Sequence, residues 1–230
     1  MLEEKITALK KELVEFSALV ENMLKDSVDG LINKDAELLK KVIEEDEPKA
    51  NAFEIKIDDL CITLIAQFEP RAVDLRTITM ILKMNNDLER MGDHAVNISK
   101  NSLRLIEKPP VKPFIDLPRM AEETIAMVND GIEAFINSDA QLAKSVCERD
   151  NKVDSLNDQL IRELVTYMVS DSTTIHRAIR LINVSRNLER VADLATNICE
   201  DVIFMVEGKV IKHHAAEKAE DEEREEAEEK

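Results

Sequence analysis

Residues 88–98, LERMGDHAVNI, return one hundred positions later as LERVADLATNI, residues 188–198. An internal repeat constrains a fold more than any composition does, because both copies must solve the same packing problem. An apolar seam runs through each copy. Met84, Leu88, Met91, Ala95, Ile98, Ser102 and Leu105 alternate spacings of four and three, and Val184, Leu188, Val191, Ala195, Ile198, Val202 and Met205 repeat them. That spacing predicts a helical stripe buried against neighbouring helices. A second repeated stretch, Ile32-Asn33-Lys34-Asp35-Ala36, returns as Ile136-Asn137-Ser138-Asp139-Ala140, at an offset of 104 rather than 100. The second copy has therefore lost about four residues between these points. The loss is expected near the second inter-helix loop.

The run Glu107-Lys108-Pro109-Pro110-Val111-Lys112-Pro113, with Pro118 beyond it, stops any helix and separates the halves. Proline lacks the amide donor and clashes with the preceding turn. Each half reads as three helices, about 3–32, 35–68 and 73–107, then about 116–136, 139–169 and 173–208. Asp35 and Asp139 stand where N-caps belong. Short links force antiparallel neighbours. The fold class is all-α, a tandem repeat of two antiparallel three-helix bundles. Residues 1–108 form the first bundle, 109–118 a proline-rich linker, 116–212 the second bundle and 213–230 an acidic tail, a helical extension or disordered.

Composition agrees. Aromatic residues make up 3% of the chain, with no Trp and four Gly, which disfavours β-architectures. The net charge of −17 excludes nucleic acid as a direct partner, since phosphate backbones need a basic surface. It suits metal cations or a basic patch on another protein. No apolar run reaches the roughly 20 residues of a membrane span, so no direct insertion into a membrane is expected. Cys61, Cys147 and Cys199 are scattered and read as reduced, buried small hydrophobes in a cytosolic protein.

The residues that could carry chemistry are acids. Glu89 and Asp93 are four apart and share a helix face, continued by Asn97 and Asn101. A lone pair of this kind is an ordinary solvated face. The copy changes its weight: Glu189 and Asp193 repeat the pair, and Asn197 and Asp201 continue it. A row of oxygens at helical spacing is what hard cations require. The row lies on the flank of the apolar seam, facing outward. Asp150 and Asp154 on the preceding helix are again four apart, and hairpin counting sets them level with Asp193 and Glu189. Equal rotation puts both rows in one shared groove or on opposite outer edges, and the helical wheel leaves both open. In the first half the equivalents are Glu47 and Asn51, with Asp46 and Glu54 nearby. One acid is replaced there by an amide, so the two sites should differ. His94 has Leu194 as its counterpart and falls outside the repeated set; His176, His213 and His214 read as bystanders. Arg90 and Arg190 flank the acids and read first as ion-pair partners. No nucleophile–His–acid set, phosphate loop or Cys/His zinc spacing is present, so no catalytic residue is assigned.

LERMGDHAVNI with its copy, and PRAVDLR (70–76), resemble the PhoU family of phosphate-specific transport accessory proteins over about residues 5–208. The counterpart of the second motif, STTIHR (172–177), departs from the family form, so a partner-binding role for Asp74 and Arg76 belongs to one half. The resemblance implies two three-helix bundles. It implies metal at the paired acid motifs, as multinuclear surface clusters: iron first, with manganese, magnesium or zinc as alternatives. It implies a non-enzymatic negative regulator of phosphate uptake and of the phosphate-starvation response, coupling the transporter's ATPase subunit to a sensor histidine kinase. Arg90 and Arg190 join Asp74 and Arg76 as partner-binding candidates. A cytoplasmic protein, peripheral to the inner membrane through its partners, follows, and a homodimer is compatible with it. Two other readings remain: a structural helical adaptor with solvated acidic faces, and a surface multimetal hydrolase or redox enzyme.

Overall fold

A computed structural model describes residues 2–208. Helix α1 spans Leu2–Asn33. Helix α2, Ala36–Lys41, runs through a π turn, Val42–Asp46, into α3, Glu47–Phe68. Helix α4, Ala72–Ile106, completes the first half. The second half comprises α5 (Asp116–Asn137), α6 (Ala140–Ser170), a 3₁₀ turn (Ser172–Thr174) and α7 (Ile175–Glu207). The helices expected from periodicity all form, with ends within a residue or two. The acidic tail, His213 and His214 lie outside the described residues.

Local signals set the boundaries. Asp35 Oδ1 accepts from the amides of Glu37 and Leu38 at 3.0 Å each, and Asp139 Oδ1 from Gln141 and Leu142 at 2.9 and 3.0 Å. Both are the N-caps the repeat predicts. Each follows a left-handed residue, Lys34 (φ 55°) or Ser138 (φ 53°), that closes the helix before it. Helix α7 ends at Gly208, φ 71°, where a left-handed cap favours glycine.

All fourteen seam positions of α4 and α7 are buried. Within each half the hairpin helices pack on α1 or α5, and the halves join through α4 on α7 and α1 on α5. One continuous apolar core results. Helices α4 and α7 cross antiparallel: Lys83 Nζ meets Asp201 Oδ1 at 2.9 Å, and the His94 ring meets Asn187 Oδ1 at 2.8 Å. The duplication is thus a pair of bundles related by an approximate two-fold through the α4–α7 contact. Among the described residues no helix is long and apolar enough to cross a membrane.

The four-residue difference between copies has two origins. Caps Asp35 and Asp139 are 104 apart, whereas the buried pairs Ala50/Val153, Ile57/Leu160 and Cys61/Leu164 are 103 apart. The π turn takes up that one residue: the Glu47 amide bonds the Val42 carbonyl five residues back, just before Pro48, which has no amide to offer. The other three are lost at the second loop, where 69–71 in the first half gives way to Asp171 leading into a 3₁₀ turn. Spacing alone places all four near the loop. A π turn costs only one residue of register and leaves the apolar period almost intact, so periodicity does not show it.

Candidate metal groove on the second hairpin

Helices α6 and α7 run antiparallel, joined by a tight turn, so residues near 150 stand level with residues near 193. Ser185 Oγ donates to Asn157 Oδ1 at 2.5 Å deep in this contact and fixes the register. Above it, Glu189 titrates higher than an ordinary glutamate. Burial is the largest cause, followed by the charges of Asp193 and Asp154, with Arg190 opposing and Asp150 adding a further rise. Asp150, Asp154 and Asp193 thus lie near enough to Glu189 for their charges to act on it. Asp154, Asp193 and Asn197 are exposed, while Asp150 and Glu189 are half-buried. The neighbouring cations of α6 turn to the other side: Arg149 Nε meets Glu123 at 2.6 Å and also pairs with Asp130, and Lys152 pairs with Glu123.

The first half builds a different arrangement. Glu89 is also raised, by burial first, then by Asp93 and Glu54, with Arg90 lowering it. Glu54, rather than Glu47 or Asn51, is the acid of α3 that acts on it most. Glu47 is half-buried and Asn51 exposed. Asp46, at the end of the π turn, is 3% exposed and held by Lys49 at 2.8 Å and Lys41 at 3.4 Å. The π turn thus turns one acid of the first copy inward, onto lysines.

The lower part of the predicted row leaves the groove. Asp201 pairs with Lys83 of the other half, and burial raises its carboxyl. Asn101 Oδ1 accepts from Arg180 at 3.4 Å across the same contact, while Asn97 is exposed. Asp201 therefore joins the two halves. Sequence spacing places it in the row, and only the packing of α4 on α7 turns it away. Arg90, His94, Glu189, Arg190, Asp193 and Asn197 line an open groove of about 410 Å³ between the halves. Burial holds the His94 pKa below its ordinary value, the Asn187 hydrogen bond opposes this, and Arg190 and Arg90 add to the lowering. Asp74 is exposed near the start of α4. The Arg76 Nε is buried without a hydrogen-bond partner, beside the end of α7 at Gly208.

The four carboxylates offer only one kind of donor atom. Four carboxylates supply only oxygen, which suits iron, manganese, magnesium or calcium, whereas zinc prefers nitrogen and sulfur. Among the described residues no three His, Cys, Asp or Glu side chains already stand in ligand geometry. One proximity had no signal in the sequence spacing: Cys147 of α6 and Cys199 of α7, 52 residues apart, lie close enough for each thiol to act on the other.

Known proteins share this architecture. The family model described as the PhoU domain matches twice, over residues 13–102 and 117–202, once per half. The phosphate-specific transport system accessory protein PhoU homolog of Aquifex aeolicus is 40% identical over 212 residues, covering 92% of this chain and 96% of that one. The crystal structure of PhoU from Pseudomonas aeruginosa superposes with a TM-score of 0.87 at 34% identity, over 91% of this chain and all of that one. The phosphate transport system regulatory protein PhoU from Streptococcus pneumoniae gives 0.85 at 26% identity, over 92% of this chain and all of that one. The repeated LER motifs, the two bundles and the double match agree: the chain belongs to the PhoU family.

Proposed function

We propose that this chain is an accessory, regulatory protein of phosphate-specific transport that works by binding rather than catalysis and carries a hard metal cation in the α6–α7 groove. The transport role rests on the family and on the names its relatives bear. The metal role rests on one observation: beside burial, the charges of Asp193, Asp154 and Asp150 all act on Glu189 and raise its carboxyl. Like charges held together favour a cation by Coulomb attraction and by relief of their own repulsion. Iron or manganese in a cluster of more than one ion suits the all-oxygen set. The first half, with Glu89, Asp93 and Glu54, holds an ion less tightly. The partners in this reading are the transporter's ATPase subunit and a sensor histidine kinase, and the protein acts beside the inner membrane through them.

Metal analysis of the full chain purified without chelator tests the site. Bound metal is expected in the wild type and a loss of more than tenfold in affinity in Asp150→Asn/Asp193→Asn. Metal absent from both would leave a structural adaptor with solvated acids, and metal retained by the variant would move the site elsewhere. Pull-down with the ATPase and the kinase tests the partners. Binding to neither would remove the signalling part of the proposal.

A further inference from the structure

We infer that Cys147 and Cys199 form a peroxide-oxidisable dithiol, a modification site that links α6 to α7 beside the carboxylate groove. The two residues sit on adjacent antiparallel helices, level with each other between the Ser185–Asn157 hydrogen bond and the Lys144–Glu207 pair, and each thiol is the first influence on the other. Cys199 is 0% exposed, and its Sγ lies against Gly131 of α5, where an added Cβ would come within 3.2 Å. That glycine leaves a niche for the sulfur. Cys147 is half-buried and is the member a small oxidant reaches. Disulfides need two cysteines set opposite and close on neighbouring elements.

The chemistry balances with a hydroperoxide as oxidant. The Cys147 sulfur, as thiolate, attacks one peroxide oxygen of hydrogen peroxide and the O–O bond breaks. The sulfur is oxidised to sulfenic acid, and the departing hydroxide takes up the Cys147 proton as water. The Cys199 sulfur then attacks the Cys147 sulfur. The S–S bond forms, the S–O bond breaks, and a second water leaves with the Cys199 proton. One peroxide is reduced and two thiols are oxidised. Such a sulfenic acid beside a resolving thiol is the ordinary route to a disulfide. Cys147 lies three residues from Asp150 on one face of α6, so the link fixes the two helices at the floor of the groove. The inference stands whether or not the groove binds metal, because its readout is sulfur chemistry.

Cys61 is the internal control. It is fully buried in the first half, and burial with the nearby Asp58 charge pushes its thiol up to about 12. The test treats the reduced full-length protein with hydrogen peroxide, alkylates the remaining thiols under denaturing conditions and maps the peptides by mass. The expected product has Cys147 linked to Cys199 within one molecule, Cys61 still alkylated, and both thiols recovered after dithiothreitol. In Cys199→Ser the reaction stops at a Cys147 sulfenic acid, captured by a dimedone probe. In Cys147→Ser, Cys199 stays reduced. Thiols of Cys147 and Cys199 that survive peroxide would overturn the inference. So would a Cys147 that links only between molecules, or Cys61 oxidising as fast as the pair. The wild-type map decides the matter even if a variant fails to fold.

Discussion

The two halves share a seam, caps and hairpins, yet differ where one residue has been added or one side chain exchanged. In the second half the continuous α6 sets Asp150 and Asp154 opposite Asp193 and Glu189. In the first, the π turn before Pro48 turns Asp46 onto two lysines and leaves Glu54 as the main acid opposite Glu89. The apolar layer shows the same economy. Gly30 and Leu39 of the first half correspond to Ala134 and Ala143 of the second, at the 104 offset, and all four are buried. Volume taken from one helix is returned by its neighbour. Duplicated packing is thus kept by compensation, while surface acids, free of that constraint, diverge.

The largest effect expected within this comparison lies at that swap. A Cβ on Gly30 would stand 2.6 Å from Leu39 Cδ2. Gly30→Ala gains up to about 1 kcal/mol of helix propensity, but overpacking costs about 1–3 kcal/mol. A net loss of stability is expected in urea melts. Adding Leu39→Ala, which recreates the arrangement of the second half, relieves the clash, and the two changes should be non-additive. Simple additivity would show that the halves do not compensate in this way.

Next come the caps. Asp35→Ala and Asp139→Ala should each cost about 1 kcal/mol, and by nearly equal amounts, because the two aspartates make the same pair of amide bonds. Clearly unequal losses in thermal melts would show that the halves differ in more than their acids.

The smallest effect tests the contact between the halves. His94 meets Asn187, but the same antiparallel register sets Asp87 level with Leu194. Burial raises the Asp87 carboxyl to about 6, with Asp201 adding to the rise and Arg90 and Lys83 opposing it. Its folded-state pKa lies above its unfolded one, so folding takes up a proton between them. Stability therefore increases as pH falls from about 6 toward 4 and is reduced above about 6. Asp87→Asn, the residue of the second copy, should stabilise the protein at pH 7 by up to about 1 kcal/mol and flatten that part of the pH profile. An unchanged profile would mean that Asp87 is neutralised by its cations.

Much of the fold was legible in the chain itself. The alternating seam predicted α4 and α7 with every position buried, and Asp35 and Asp139 predicted two caps. The candidate groove was legible in part. The spacing of Asp150, Asp154, Glu189 and Asp193 showed two rows, and packing brings the charges of the first row to act on Glu189 of the second. Asp201 looked like a member of the row because spacing counts faces, not neighbours, and the neighbour that claims it, Lys83, lies in the other half.

The sequence by itself determined the helices, their ends and the two-fold repeat, because hydrophobic period, proline and capping side chains act over a few residues. Which acid turns inward, which one pairs across the halves and which thiols come near one another emerge only from packing. Those outcomes depend on helix register and on α4 packing against α7. A single inserted residue shifts the register by about 100° of rotation and 1.5 Å of rise while leaving the local pattern almost unchanged.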